Sequence, residues 1–305
     1  MDKSDGPARY AAAVKLLPLR WQRPALRLPT DRMEAAEEFR LRSGRMLTVL
    51  ADDREEPLEA EGGPVTPGEL EQMCDRLTGY SRYAACETLR CGYLSAQGGF
   101  RVGVCGTAVL SGGVNTNLRS ISSLTVRLSR QRPGVAREVF DRLYGGGALP
   151  GVLIVSAPGL GKTTLLRDLI RLLSDGEGSS PPRRVAVADE RGEIAVMHQG
   201  LPQMDVGCHT DVMDGCPKAL AIPMLLRSCN PQVIAVDEIT EARDLEAMSA
   251  AANCGVALLA TIHAADADEL RSKPLFLRLL EMGVFQLCVV IRREEGQRTY
   301  RVEPL

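Results

Sequence analysis

The chain has 305 residues, 45% of them hydrophobic, enough to fill the cores of two domains. A net charge of −2 and an aromatic content of only 4% weigh against a nucleic-acid motor or a binder of anionic membranes, which need a basic face. No apolar run approaches the ~18 residues of a membrane-spanning helix, and nine scattered cysteines without C-x-x-C spacing fit reduced thiols in a cytosolic protein better than a disulfide framework.

Residues 1–21 lack the apolar stretch of a signal peptide, because Lys15 and Arg20 interrupt it; a short amphipathic helix docked on its own domain is expected instead. Up to about residue 65 charged and apolar patches alternate, with 37–45 (EEFRLRSGR) the densest charged cluster and 59–64 (EAEGGP) a surface loop. Thr66-Pro67-Gly68-Glu69 reads as a helix start, with a capping Thr, Pro in the first turn and Glu three residues on. That helix runs to Gly79, with Leu70, Met73 and Leu77 on its apolar face, and a second covers 81–90. Strand-like runs follow at 93–96, 100–110 and 124–128, with Gly98-Gly99 and Gly112-Gly113 as hairpin turns. Alternation places Arg101 and Arg127 on the polar face of this antiparallel sheet.

A short helix (136–144) and the glycine-rich run 145–151 make a boundary, read as a hinge. From there strands alternate with helices, as in a parallel α/β sheet. Strands are expected at 184–190, 233–238 and 256–263, with a closing hairpin of 284–291 and 298–302 turning about Glu295-Gly296.

The chemistry starts at 151–168. Four β-formers, Val152 to Val155, run into Pro158-Gly159, and a helical pattern resumes at Lys162. Strand, glycine loop, helix is the setting in which G-x-x-x-x-G-K-[ST] binds phosphate through backbone N–H groups and the helix N-terminus. Ser156, Ala157, Pro158, Gly159, Leu160, Gly161, Lys162, Thr163 and Thr164 are the expected nucleotide-binding residues, with Lys162 on the phosphates and the Thr163 hydroxyl on Mg²⁺. Ser156 replaces the first glycine; serine is small, so strained rather than lost geometry is expected.

The strand 233–236 ends in Asp237-Glu238. Such a strand is expected beside the phosphate-loop strand, with Asp237 holding Mg²⁺ through water and Glu238 polarising the attacking water. His263 and Asp189-Glu190 end two further strands and point to the same crevice, His263 as a sensor of the terminal phosphate and the two acids as nucleotide contacts. Arg227, just before Asn230-Pro231, is a candidate to pair with an acid at a subunit contact. Cys208, His209 and Cys216 lack the second pair that a tetrahedral metal site requires.

Several stretches together resemble the stage III sporulation protein AA family from about residue 35 to the C-terminus. They are 98–106 (GGFRVGVCG), 121–127 (ISSLTVR), 189–195 (DERGEIA), 210–218 (TDVMDGCPK), 226–231 (LRSCNP), Val236-Asp-Glu-Ile239 and Ala260-Thr-Ile-His263. The family in turn resembles the ring-forming secretion ATPases. The combined expectation is α/β: a smaller α+β domain with an antiparallel sheet at 1–132, a linker at 133–150, and a RecA-like P-loop ATPase domain at 151–305. The resemblance implies ATP and Mg²⁺ as ligands, with ATP at the domain junction and rocking about the hinge. It further implies a homo-oligomeric, hexameric ring in which Arg101 or Arg127 acts on a neighbour's nucleotide. Membrane-embedded channel proteins would be the partners, with no nucleic acid, and the location would be the mother-cell cytoplasm against the membranes around a forespore. The rival classes are a nucleotide-dependent scaffold, which has no use for Glu238, and a nucleic-acid motor.

Overall fold

A computed structural model describes residues 6–82, 85–128, 131–144, 149–264, 267–272, 274–294 and 297–305. The chain divides into two compact units, residues 1–131 with 196–203, and residues 132–195 with 204–305.

The first unit contains α1 (Gly6–Val14), α2 (Leu19–Leu26), α3 (Thr30–Ala35), β1 (Ala36–Arg42), β2 (Thr48–Ala51), β3 (Arg54–Pro57), α4 (Pro67–Leu77), α5 (Cys86–Arg90), β4 (Tyr93–Ala96), β5 (Phe100–Ser111) and β6 (Val114–Arg127). Its sheet runs β3-β2-β1-β6-β5-β4, every pairing antiparallel. Tyr10, Leu17 and Trp21 of the N-terminal segment pack into one core with Phe39, Phe100 and Val126, so this segment is docked on its own domain. Sequence pattern misses β1 to β3 because β1 (AEEFRLR) is apolar on one face only, its Phe39 and Leu41 alternating with charges. It also misses the start of β6, whose outer half pairs only with β5, in a ribbon whose residues 114–120 are exposed or half-buried. Of the expected helix 81–90, residues 83–84 lie outside the described residues and α5 covers only the last turn.

In the second unit come α6 (Arg137–Tyr144), β7 (Val152–Ser156), α7 (Lys162–Asp175) and β8 (Val185–Asp189). The hairpin β9 (Met197–His198) and β10 (Leu201–Pro202) then belongs to the first unit, where Gln203 Oε1 accepts from the Gly98 N–H at 2.8 Å. The chain returns through β11 (Thr210–Asp214), α8 (Lys218–Cys229), β12 (Val233–Val236), α9 (Ala242–Asn253), β13 (Ala257–His263), α10 (Ala267–Ser272), α11 (Pro274–Glu281), β14 (Leu287–Glu294) and β15 (Gln297–Pro304). The sheet order is β11-β8-β12-β13-β7-β14-β15, parallel except for β15. Every residue of β7, β8 and β12 is buried, as strands covered on both faces require.

Two expectations change here. The strand carrying Asp237-Glu238 is not beside the phosphate-loop strand: β13 lies between β12 and β7. Crossover connections free spatial order from chain order, and β13, apolar except for Thr261 and His263, takes the central slot. Nor is all of 133–150 a linker. In α6 the side chains of Val139, Phe140, Leu143 and Tyr144 are buried, and the Ala136 N–H at its start donates to Asp168 Oδ2 at 2.8 Å, so this helix is part of the second unit. Residues 145–148 of the expected hinge, and the Glu295-Gly296 turn, lie outside the described residues.

Glu69 ties α2 to the start of α4. It closes the capping box of α4 with Thr66, and both its oxygens accept from Arg20, at 2.6 and 2.7 Å. Arg20 also donates to the carbonyls of Gly63 and Pro64, so one guanidinium organises the 61–64 loop. The Arg20 hydrogen bond is the main cause that lowers the Glu69 pKa to about 2. A depressed carboxylate stabilises the fold above its ordinary pKa and loses that contribution as pH falls toward the folded value. Glu69→Gln is therefore expected to lower stability at pH 7 by about 2 kcal/mol. In denaturant titrations the difference from the parent should shrink from pH 4 downward; a gap that stays constant with pH would refute the ion-pair account.

Candidate active site

Ser156 ends β7, and the chain crosses the exposed residues Ala157, Pro158 and Gly159 and half-buried Leu160 before α7 begins at Lys162. Gly161 is the N-cap of α7 at φ +94°, a conformation that L side chains rarely adopt. The loop curls back on its lysine. Lys162 Nζ, 6% exposed, donates to the Ser156 carbonyl at 2.9 Å and the Ala157 carbonyl at 3.2 Å. The Ser156 hydroxyl lies 3.3 Å from the same ammonium and donates to the Ala157 carbonyl at 2.8 Å. Serine in place of glycine is thus absorbed into the ring of contacts around Lys162. Burial lowers the Lys162 pKa, and Asp237 and Glu238 oppose that shift.

Thr163 Oγ1 donates to Asp237 Oδ2 at 2.9 Å, joining the first turn of α7 to the end of β12. The other oxygen of Asp237 accepts from Thr261 Oγ1, and the same hydroxyl takes the Glu238 N–H at 2.8 Å. Glu238 sits at φ +51°, left-handed for a residue with a side chain, and such strain persists only where neighbours impose it. Thr261 imposes it, with its hydroxyl on Glu238 and its carbonyl on the Ile239 N–H at 3.1 Å.

Glu238 then faces two cations or donors. One oxygen meets His263 Nε2 and the other Arg191 Nη1. His263 Nδ1 lies 2.8 Å from Lys162 Nζ. With the ammonium donating, Nδ1 accepts and the ring proton sits on Nε2, toward Glu238. A single imidazole therefore connects the phosphate-loop amine to the acid.

Arg191 escapes sequence reasoning, hidden in the charged run 189–193. Its loop is anchored at both ends: Asp189 accepts the N–H groups of Glu193, Ile194 and Ala195 at 2.8 to 3.1 Å, and Arg167 donates to the carbonyls of Glu193 and Ile194, each at 2.6 Å. Asp189 and Glu190, expected as nucleotide contacts, have other partners within the protein. Asp189, buried to 1% exposure, spends its carboxylate on its own loop, and burial raises its pKa despite those bonds. Glu190 pairs with buried Lys218 at the start of α8.

Elsewhere, Arg101 and Arg127 are cross-strand partners on β5 and β6, with Arg101 stacked on Tyr93 at 4.1 Å and Arg127 3.5 Å from Glu38. Arg227 donates to the Pro223 carbonyl within α8. All nine cysteines are free thiols, and His209 Nδ1 contacts the Ser174 carbonyl at 2.8 Å.

The sequence model of the family described as sporulation stage III, protein AA, matches residues 12–302. The chain belongs to this family. Stage III sporulation protein AA of Bacillus subtilis (strain 168) is 34% identical over 286 residues, 94% of this chain and 92% of that relative. Among solved structures, the pilus retraction motor PilT with bound ADP superimposes with a TM-score of 0.61 at 17% identity, over 90% of this chain and 80% of that one. The Legionella pneumophila ATPase DotB gives 0.57 at 19% identity, over 88% and 76%. At those identities the likeness is one of fold, and it makes the second unit RecA-like.

A family fold of this kind implies a nucleotide and Mg²⁺, and the residues present fit both. The left-handed Gly161 opens the N-terminus of a 14-residue helix toward the loop, and Thr163 and Asp237 bring a hydroxyl and a carboxylate together, oxygen donors of the hard-cation type. Among the described residues no three His, Cys, Asp or Glu side chains form a separate metal cage, and Mg²⁺ carried on a nucleotide needs none.

Thr261→Val keeps the shape and removes the hydroxyl that holds both acids. It should cost about 1–3 kcal/mol, the scale of stranding a buried partner, in chemical denaturation of the purified protein. Unchanged stability would show that the Thr261 contacts do not hold Asp237 and the Glu238 turn.

Proposed function

We propose that the chain is an ATP-hydrolysing motor of a secretion-type apparatus acting in sporulation. The observation that carries this reading is the single network joining Lys162, Thr163, Asp237, Glu238 and His263 at the carboxyl edge of a parallel sheet. In this reading ATP is the substrate, its phosphates lying over the 156–164 loop against backbone N–H groups and Lys162. Thr163 and Asp237 would hold Mg²⁺, which neutralises charge on the phosphate oxygens when bound. Glu238 accepts a proton from the attacking water, while His263 and Arg191 fix its two oxygens. Because His263 also touches Lys162, whatever engages the lysine is felt at the acid. That gives His263 the sensing role.

Family membership supports a mother-cell cytoplasmic motor, peripheral to the membranes around the forespore, with membrane-embedded channel proteins as partners. No helix of the described residues is long and apolar enough to cross a membrane itself. The same reading makes the working form a homo-hexameric ring, with Arg101 or Arg127 completing the neighbour's site. An arginine supplied in this way is worth roughly 10³ to 10⁵ in rate. Rocking of the first domain would convert nucleotide turnover into work.

Lys162→Ala is expected to abolish ATP binding, and Glu238→Gln to preserve binding while slowing hydrolysis by roughly 10²-fold or more. Equilibrium binding and phosphate release, with and without single-stranded DNA, check both and separate the motor from a scaffold or a nucleic-acid enzyme. Wild-type turnover in Glu238→Gln would rule out this mechanism.

The arginines have their own test. Arg101→Ala or Arg127→Ala should cut turnover without loss of fold. Mixing either variant with Glu238→Gln should restore partial activity, since some sites regain both wild-type groups across an interface. No recovery on mixing would rule out action between subunits.

A further inference from the structure

β7 has two unlike neighbours. On one side β13 brings His263 level with Ser156, and beyond it lie Asp237 and Glu238. On the other side β14 runs parallel to β7 and turns back as β15, so the first residues of β15 stand at the same edge of the sheet as the phosphate loop. Arg298 is the second residue of β15, and it reaches the loop. A Cβ built on Gly161 would lie 3.2 Å from Arg298 Cζ and Nη1 and 3.5 Å from Nη2. The guanidinium therefore rests against the glycine that caps α7, and a Cβ there would press on it.

That is an unfavourable place for a cation. It meets the positive end of the α7 dipole, next to the Lys162 ammonium, and its cross-strand partner is Arg293, another cation. Among the described residues no carboxylate is hydrogen-bonded to Arg298, and the side chain is exposed. Two residues on, and on the same face of β15, burial raises the Tyr300 pKa, with Arg298 and Arg132 opposing that shift and Asp168 adding to it. The positive end of α7, Lys162 and Arg298 thus meet at the loop. Asp237 and Glu238 act on Lys162, whereas among the described residues Arg298 has no carboxylate hydrogen-bonded to it, and an anion over the loop would satisfy its guanidinium.

We propose that Arg298 is a nucleotide-binding residue that grips the inner phosphates, on the nucleoside side of the loop. This rests on the reading of 156–164 as a phosphate loop. The acids on the β12–β13 side mark where the terminal phosphate reacts, so the opposite flank faces the α- and β-phosphates. Arg298 consequently acts on ADP and ATP alike, and it belongs to the same subunit as Lys162.

The test is equilibrium binding of Mg²⁺-ADP and of a non-hydrolysable ATP analogue to the full-length chain, for wild type, Arg298→Ala, Arg298→Lys, Arg293→Ala and Lys162→Ala. Losing a charge-assisted contact predicts that Arg298→Ala weakens both ligands equally, by roughly 10- to 100-fold. Arg298→Lys should fall between alanine and wild type, because it keeps the charge and loses the planar fork; Arg293→Ala should bind as wild type. Should the alanine variant fail to fold, the lysine variant decides, and wild-type affinity in it overturns the inference. Wild-type affinity in Arg298→Ala likewise overturns it, while loss of binding in Lys162→Ala leaves the phosphate loop standing. Weakening confined to the triphosphate analogue would put Arg298 on the wrong flank and overturn the assignment to inner phosphates. If the wild-type chain binds neither ligand, the functional reading itself fails.

Discussion

One hydroxyl holds the site together. Thr261 is the only polar side chain inside β13 before His263, and it is fully buried. Its oxygen has one proton to give and accepts one in return, and both are used, on Asp237 and on the Glu238 N–H. The first bond fixes the carboxylate that Thr163 reaches from α7; the second forces the acid after it into a left-handed turn. Two strands and, through Asp237, a helix thus depend on a single donor–acceptor atom. The strain stored at Glu238 belongs to an element chosen for geometry rather than stability, as is usual at functional sites.

Around that centre, Lys162, His263, Glu238 and Arg191 form one line of contacts. Each end is fastened to a different backbone segment, Lys162 to the carbonyls of the phosphate loop and Arg191 to a loop gripped by Asp189 and Arg167. Moving either end displaces Glu238. Under the proposed function, such a line would carry a change at the 156–164 loop to the 189–195 loop with no need for a large rearrangement.

The parallel sheet and its loop are legible in the sequence because a strand buried on both faces must be apolar throughout. A run of four or five such residues that stops at a chemistry-bearing side chain therefore marks both the strand and its functional end. Lys162, Thr163 and Asp237 can be found this way, since spacing and strand ends carry the signal. Arg191, Thr261 and Arg298 cannot. Each acts through a partner distant in sequence, and nothing local distinguishes Arg298 from its neighbours Arg292 and Arg293. Asp189 shows the converse failure: a strand-end acid in the right crevice, yet its carboxylate is consumed by the N–H groups of its own loop. In the first unit, β1 is hidden because its apolar residues alternate with charges, β2 because it is only four residues long, and β3 because all four of its residues are exposed and three are charged. Strand order is likewise beyond reach, because the crossover that inserts β13 leaves no trace in local composition.

The hairpin of residues 196–203 has a further consequence. Because it belongs to the first unit while its flanks belong to the second, the polypeptide passes between the units three times, after residues 131, 195 and 203. No single cut can therefore separate them. A fragment beginning at Arg132 would still carry eight residues whose hydrogen-bonding partner, the Gly98 N–H, had been left behind. The two units are bound by covalent topology as well as by descent, and a rearrangement that exchanged one of them for another protein's would have to solve the splice at three places at once.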